Sequence, residues 1–110
     1  MSKYWPNKWD PTEEEWRQLA RSKRDLIRMR DNSLVALADN ENRYSRLDEE
    51  ILRLEELLEK NPSTHLKAEL ETLRRKRTHV ERMIDFYRQR AEKAKQLLRS
   101  RYNFESQTAR

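Results

Sequence analysis

Glycine and cysteine are absent from this sequence, and proline occurs only three times. Tight β-hairpin turns favour glycine because it tolerates positive φ, so the composition disfavours a β fold. The absence of cysteine excludes disulfides, thiolate metal sites and a cysteine nucleophile. No apolar run reaches the roughly 18 residues of a membrane span, and residues 1–11 lack the apolar core of a signal peptide. We expect an intracellular protein, cytoplasmic or nuclear, that is neither secreted nor membrane-spanning.

Groupings of catalytic residues are equally scarce. The two histidines, His65 and His79, are 14 residues apart in the sequence. That spacing places them about 21 Å apart along a helix, too far to bind one metal ion. The paired carboxylates Glu49–Glu50 lie beside a predicted turn with no enclosing pocket, whereas catalysis needs a concave site with fixed geometry. We predict no enzymatic activity, no cofactor and no metal site.

The composition instead favours long helices, with 41% charged and 35% hydrophobic residues. Asp10 is the predicted N-cap of the first helix, with Pro11 at its first position. Pro62 interrupts the helical pattern, and Ser63 or Thr64 can cap a second helix. The predicted divisions are an aromatic lead-in over 1–11, a helix over 12–60, a turn over 61–64, a helix over 64–104 and a frayed tail over 105–110.

Apolar residues recur at the a and d positions of a heptad repeat in both helices, which is typical of coiled-coil packing. If the chain folds back at 61–64, the two registers agree, because Leu54 then faces Leu70. The sequence therefore predicts an all-α fold, a long antiparallel helical hairpin of the coiled-coil kind. Poor helix formers cluster within 31–42, so a kinked or three-helix version is the alternative. Polar residues that occupy predicted seam positions are Lys23, Arg30, Ser33, Asn40 and Arg77.

Several apolar side chains lie outside the seam. A helix pair with a wide apolar face usually buries it against further helices, so we expect two copies to form a four-helix dimer. The alternative is that these side chains cover gaps left by the polar seam. Trp5 and Trp9 in the lead-in either pack on the open end of the hairpin or anchor a partner, since tryptophan is enriched in binding hot spots. The predicted dimer interface consists of Ile27, Leu34, Val35, Met83 and Phe86.

Positive charge is concentrated in two stretches of a chain whose net charge is only +5. Residues 16–30 carry six basic side chains against Asp25 alone, and residues 88–101 carry six against Glu92 alone. Such clusters cost stability through self-repulsion. Phosphate binding would offset that cost, because Lys and Arg neutralise a nucleic-acid backbone and release its counterions. The predicted phosphate contacts are Arg75, Arg82, Arg88, Lys95, Arg99, Arg21, Arg24 and Arg28.

The sequence thus predicts a self-associating helical protein that binds nucleic acid through phosphates, reading shape rather than base sequence. It does not distinguish DNA from RNA, or duplex from single strand. The alternative is a coiled-coil adaptor or assembly subunit, whose arginine-rich end receives an acidic protein partner. The basic helix faces can also be purely structural, solvated surfaces, because Glu71–Arg75 and Glu49–Arg53 have the spacing of ordinary i,i+4 ion pairs. A membrane-surface role is disfavoured, because no exposed apolar face accompanies the basic faces.

Overall fold

The computed structural model describes residues 10–103, which are largely helical. The helices are α1 (Glu13–Leu19), α2 (Lys23–Lys60) and α3 (Thr64–Tyr102), and the two long helices contact each other. This confirms the all-α prediction. The chain divides into two compact units. We call residues 38–84 the turn unit, and residues 10–37 together with 85–103 the split unit. Within the described residues, no helix carries an apolar stretch of the length that crossing a bilayer requires.

Helix α1 begins with a capping box centred on Thr12. The Thr12 hydroxyl accepts a hydrogen bond from the Glu15 N–H at 3.2 Å, and the Glu15 carboxylate accepts one from the Thr12 N–H at 2.9 Å. The N–H groups in the first turn of a helix have no hydrogen-bond acceptor within the helix. This reciprocal pair of side chains provides acceptors for two of these N–H groups. The predicted N-cap at Asp10 is therefore corrected to Thr12, which also moves Pro11 outside the helix.

The helix expected over 12–60 is interrupted between Leu19 and Lys23. Ser22 caps the second segment, because its Oγ accepts a hydrogen bond from the Asp25 N–H at 3.2 Å. The alternative position for a break, 31–42, is helical throughout. The predicted continuous helix is therefore replaced by α1 and α2, with the interruption nearer the N-terminus than the poor helix formers suggested.

The C-terminal end of α1 is buried, and its last carbonyl accepts a hydrogen bond from a residue distant in the sequence. Ala20 caps the helix at 1% exposure, and its carbonyl accepts a hydrogen bond from the Tyr102 hydroxyl at 2.6 Å. Buried carbonyls at a helix end need such partners. Just beyond Tyr102, α3 stops at Asn103, whose φ of 52° lies in the left-handed region that asparagine tolerates.

In the turn unit, α2 packs against α3 through the predicted seam. The two helices are joined by residues 61–63, and the Ser63 Oγ caps α3 by accepting from the Leu66 N–H at 3.2 Å. Apolar side chains from both helices then form one buried cluster, which contains the predicted facing pair of Leu54 and Leu70. Its buried members are Ile51, Leu54, Leu70 and Leu73, and its partly buried ones are Leu47, Leu58 and Leu66.

In the split unit, α1 adds a third helix to the packing of α2 and α3. Trp16 and Ala20 from α1 join Leu26 of α2 and two α3 residues, Ala94 and Leu98, in a second buried cluster. Burying this apolar surface offsets the weak propensity of a seven-residue helix to form alone. The side chains of Trp16 and Ala20 are therefore buried in a three-helix core, which the predicted two-helix hairpin does not contain.

Candidate nucleic-acid interface

The eight predicted phosphate-contact residues are divided between the two units. Arg75 and Arg82 lie on α3 in the turn unit, and the other six lie in the split unit. Seven of the eight are exposed, and Lys95 is half-buried. Arg21 lies in the interruption between α1 and α2, while the remaining residues project from helices.

The two units also differ in charge. The described part of the split unit carries twelve basic and eight acidic side chains, against ten and eleven in the turn unit.

Ion pairs separate structural cations from available ones. Arg74 contacts Glu55 at 2.7 Å, and Arg77 contacts Asp48 at 2.5 Å, each pair joining α2 to α3. Further ion pairs join Arg30 to Asp31 at 2.9 Å, Lys93 to Glu13 at 3.1 Å and Arg53 to Glu50 at 3.4 Å. A shorter pair joins Arg17 to Glu14. These arginines and this lysine already have anionic partners.

Most of the predicted phosphate contacts have no such partner. Arg75 forms no ion pair with Glu71 or any other described residue, and Arg53 pairs with Glu50 instead of Glu49. The i,i+4 pairs that favoured a purely structural role are therefore absent at these positions. Among residues 10–103, the cations from the predicted set without an ion pair are Arg21, Arg24, Arg28, Arg75, Arg82, Lys95 and Arg99.

Arg75 also lines a basic groove in the turn unit, with a volume of about 710 Å³. Leu47 and Val80 form its apolar floor, and Glu50 is the one carboxylate among its lining residues. The basic rim comes from both helices: Arg43 and Arg46 from α2, and Arg75, Lys76 and His79 from α3. We call this feature the basic groove.

Sequence reasoning missed three residues of the basic groove: Arg43, Arg46 and Lys76. A usable signal was present, because Arg43 and Lys76 both occupy g positions beside the seam, where charged side chains of paired helices meet. His79, one of the two widely spaced histidines, is exposed on the groove rim. Among the described residues, no three His, Asp or Glu side chains are grouped as a metal ligand set.

A second, smaller cleft of about 370 Å³ lies in the split unit. Its cations are already engaged within the protein. The Lys93 ammonium lies 5.4 Å from the Trp16 ring centroid and 3.1 Å from the Glu13 carboxylate. The Arg90 guanidinium lies 5.6 Å from the Phe86 ring centroid. The cations of this cleft are therefore less available to an external anion than the exposed cations of the basic groove.

Arg90 is the most deeply buried cation of the described residues, at 9% exposure. Its Nε donates a hydrogen bond to the Ser33 Oγ at 2.7 Å, and the guanidinium lies 5.0 Å from the Tyr87 ring centroid. Burial lowers the pKa of Arg90, against the opposing effect of the Tyr87 and Asp10 charges. Burial likewise raises the pKa of Tyr87, and the Arg90 charge opposes this shift. Burial therefore disfavours the charged form of Arg90, and the hydrogen bond to Ser33 offsets part of that cost.

The predicted dimer interface is only partly exposed. Met83 is 3% exposed, and Ile27 packs against the core of the split unit. Met83 therefore offers almost no surface to a second copy and the partly buried Ile27 offers little, while the interface itself stays a prediction. Phe86 is half-buried, whereas Leu34 and Val35 remain 37% and 63% exposed. The proposed partner anchors Trp5 and Trp9 lie outside the described residues.

Comparison of the chain with protein-family models, with curated proteins and with solved structures gave no match.

Proposed function

We propose that this protein binds nucleic acid through phosphate contacts and has no enzymatic activity. The observation that supports this most is the set of exposed cations without ion pairs, in a protein where other arginines are paired with acids. Unpaired surface cations repel one another. An anionic polymer relieves that repulsion and gains affinity from the release of its counterions.

The spacing of these cations suits a backbone better than a base sequence. Arg75 and Arg82 are seven residues apart, about 10 Å along α3. Their long side chains can follow phosphates at that scale without holding the fixed geometry that bidentate base recognition needs. Specificity, on this proposal, comes from the form of the nucleic acid.

The proposal includes a hairpin and its self-association. Contacts between α2 and α3 in the turn unit join residues 19 positions apart at Glu55–Arg74 and 29 apart at Asp48–Arg77, a trend that an antiparallel pair produces. We infer that a second copy packs against Leu34 and Val35, whose exposed side chains offer apolar area on α2. Light scattering is then expected to give twice the chain mass of 13.6 kDa.

A protein-binding adaptor is the second candidate. Leu52 and Leu57, on α2 in the turn unit, are 55% and 43% exposed. Exposed leucines of this kind favour contact with a protein partner over contact with phosphates. Such a complex would respond weakly to salt, because apolar burial does not release counterions.

The two candidates are separated by a pair of matched double variants. Arg75→Gln/Arg82→Gln removes two cations without ion pairs, and Arg74→Gln/Arg77→Gln removes two paired ones from the same unit that do not line the basic groove. At moderate salt we expect the first to weaken nucleic-acid binding about tenfold or more, and the second much less. Fluorescence anisotropy with a labelled oligonucleotide measures both. Equal affinity of the wild type and Arg75→Gln/Arg82→Gln would contradict the assigned contacts.

A further inference from the structure

The basic groove differs from the other cationic surfaces of this chain because it combines charge with an apolar floor. Leu47 is half-buried, and Val80, at 3% exposure, closes the bottom of the groove. Arg43 and Arg46 stand on one side and Arg75 and Lys76 on the other, all exposed. A ligand in this groove therefore meets cations on both sides and hydrocarbon beneath.

The electrostatics of the groove favour an anion. Four side chains with fixed positive charge line it, against the single carboxylate of Glu50. That carboxylate is partly neutralised by Arg53, which lies at 3.4 Å. Arg46, Arg75 and Lys76 form no ion pair within the described residues, and Arg43 donates only a long hydrogen bond of 3.4 Å to the Asn40 side chain. The positive charge of the rim is therefore largely uncompensated.

The positive charge of the groove does not distinguish one phosphate polymer from another, but the apolar floor favours single-stranded over duplex nucleic acid. In a duplex the bases are stacked inside and the phosphates face outward, so a duplex on the rim leaves Leu47 uncovered. An unpaired base presents an apolar face together with a nearby phosphate, and burying that face on aliphatic side chains is favourable. The volume of about 710 Å³ falls in the range of ligand sites of roughly 300–1,000 Å³.

We propose that the basic groove binds a segment of single-stranded nucleic acid, with an unpaired base against the half-buried Leu47 side chain and its phosphates against the rim. This rests on the proposed function and adds to it a preference for single strands. Arg43 and Arg46 hold phosphates on the α2 side, and Arg75 and Lys76 hold them on the α3 side. His79, also on the rim, supplies a further hydrogen-bond donor to a phosphate oxygen.

Three probes test this proposal with the full chain. They are a single-stranded DNA dodecamer, an abasic strand of the same length, and the matching duplex. The abasic strand keeps the phosphates and lacks the bases. We expect the single strand to bind about threefold to tenfold more tightly than the abasic strand, and more tightly than the duplex at equal salt. If the abasic strand or the duplex binds as tightly as the single strand, the floor does not receive a base and the proposal is wrong.

A groove variant locates the site. Arg43→Gln/Arg46→Gln removes two exposed rim cations, and Lys60→Gln/Lys67→Gln removes two exposed cations of the same unit that do not line the groove. Both variants keep the apolar core, and circular dichroism should show unchanged helix content. We expect the first to bind the single strand about tenfold or more weakly, and the control to bind within about threefold of wild type. Wild-type affinity in Arg43→Gln/Arg46→Gln would overturn the assignment.

The outcomes also distinguish failure of this inference from failure of the proposed function. Binding that persists in Arg43→Gln/Arg46→Gln but is lost in Arg75→Gln/Arg82→Gln keeps the function and rejects the groove. No binding of any probe at low salt rejects both. If an oligoglutamate peptide displaces the single strand at equal charge concentration, the groove recognises acidic chains in general, which also contradicts the proposal.

Discussion

The contact between Ser33 and Arg90 shows how a polar pair can occupy a helical core. Ser33 is fully buried; its Oγ accepts from the Arg90 Nε at 2.7 Å and donates to the Met29 carbonyl at 2.7 Å. The sequence places Ser33 in the seam, where it looks like a weakness. In the structure it is the acceptor that a buried guanidinium needs, because an unsatisfied buried donor is costly.

We predict that Ser33→Ala lowers the free energy of unfolding by about 1–3 kcal/mol, since it leaves the Arg90 Nε–H without this acceptor. Arg90→Met removes the donor together with its need for the acceptor, so Ser33→Ala should cost much less in that background. Urea unfolding of the two single variants and the double variant measures the coupling. Additive effects, within about 0.5 kcal/mol, would show that the two side chains do not depend on each other.

The ionisation of the Tyr87 side chain reports on the interior of the split unit. Burial raises its pKa above the ordinary value, although the Arg90 charge opposes the shift. Because the folded state has the higher pKa, Tyr87 contributes stability below the ordinary tyrosine value of about 10, and this contribution is lost as the pH rises through the folded value.

An absorbance titration of tyrosinate, with Tyr87→Phe subtracted from wild type, isolates this residue. We expect its midpoint above about 10, and a further upward shift in Arg90→Met, because the opposing charge is then removed. A Tyr87 midpoint at or below the ordinary value would contradict the buried environment described for it.

At the scale of elements, hydrophobic spacing predicted the long helices and their turn well. The cluster around Ile51 and Leu73 contains Leu54 and Leu70, which the heptad register predicts to face each other, and Ser63 caps α3. These features follow from local signals: apolar periodicity, a proline, and a hydroxyl beside it.

The interruption near Ser22 was not predicted, because the register of apolar residues continues across it. Trp16, Leu19 and Leu26 keep heptad spacing, and no glycine or proline marks the break. The sequence contains only a weaker signal for a helix start at this point, a serine, Ser22, followed three residues later by an acid, Asp25. The break also coincides with the burial of Ala20 and with a hydrogen bond to its carbonyl from Tyr102, a residue 82 positions away in the sequence.

We predict that Ser22→Ala reduces stability by about 0.5–2 kcal/mol, the usual cost of losing an N-cap. Ser45→Ala is the matched control, since Ser45 is exposed within α2 and alanine favours a helix interior. That control should be neutral or slightly stabilising in thermal unfolding. Equal stability of Ser22→Ala and wild type would mean that the start of α2 does not depend on this cap.

At the scale of the whole molecule, the candidate site could be predicted only in part. Arg75 and Arg82 are among the predicted contacts because their seven-residue interval places both on one face of a helix. Arg43, Arg46 and Lys76 were not, because a groove between two helices depends on the packing of both. Composition and charge patterning indicate phosphate binding, whereas the groove floor and the paired arginines emerge only in three dimensions.

The most direct test of the central claim, that cations without ion pairs bind phosphates, is the salt dependence of nucleic-acid affinity. For a single strand that contacts about four cations, log K should fall against log salt with a slope of about −3, roughly a fifty-fold loss between 50 and 200 mM. Arg75→Gln/Arg82→Gln should make that slope shallower by about one to two. A slope near zero, or no binding at low salt, would contradict the claim and leave the adaptor role.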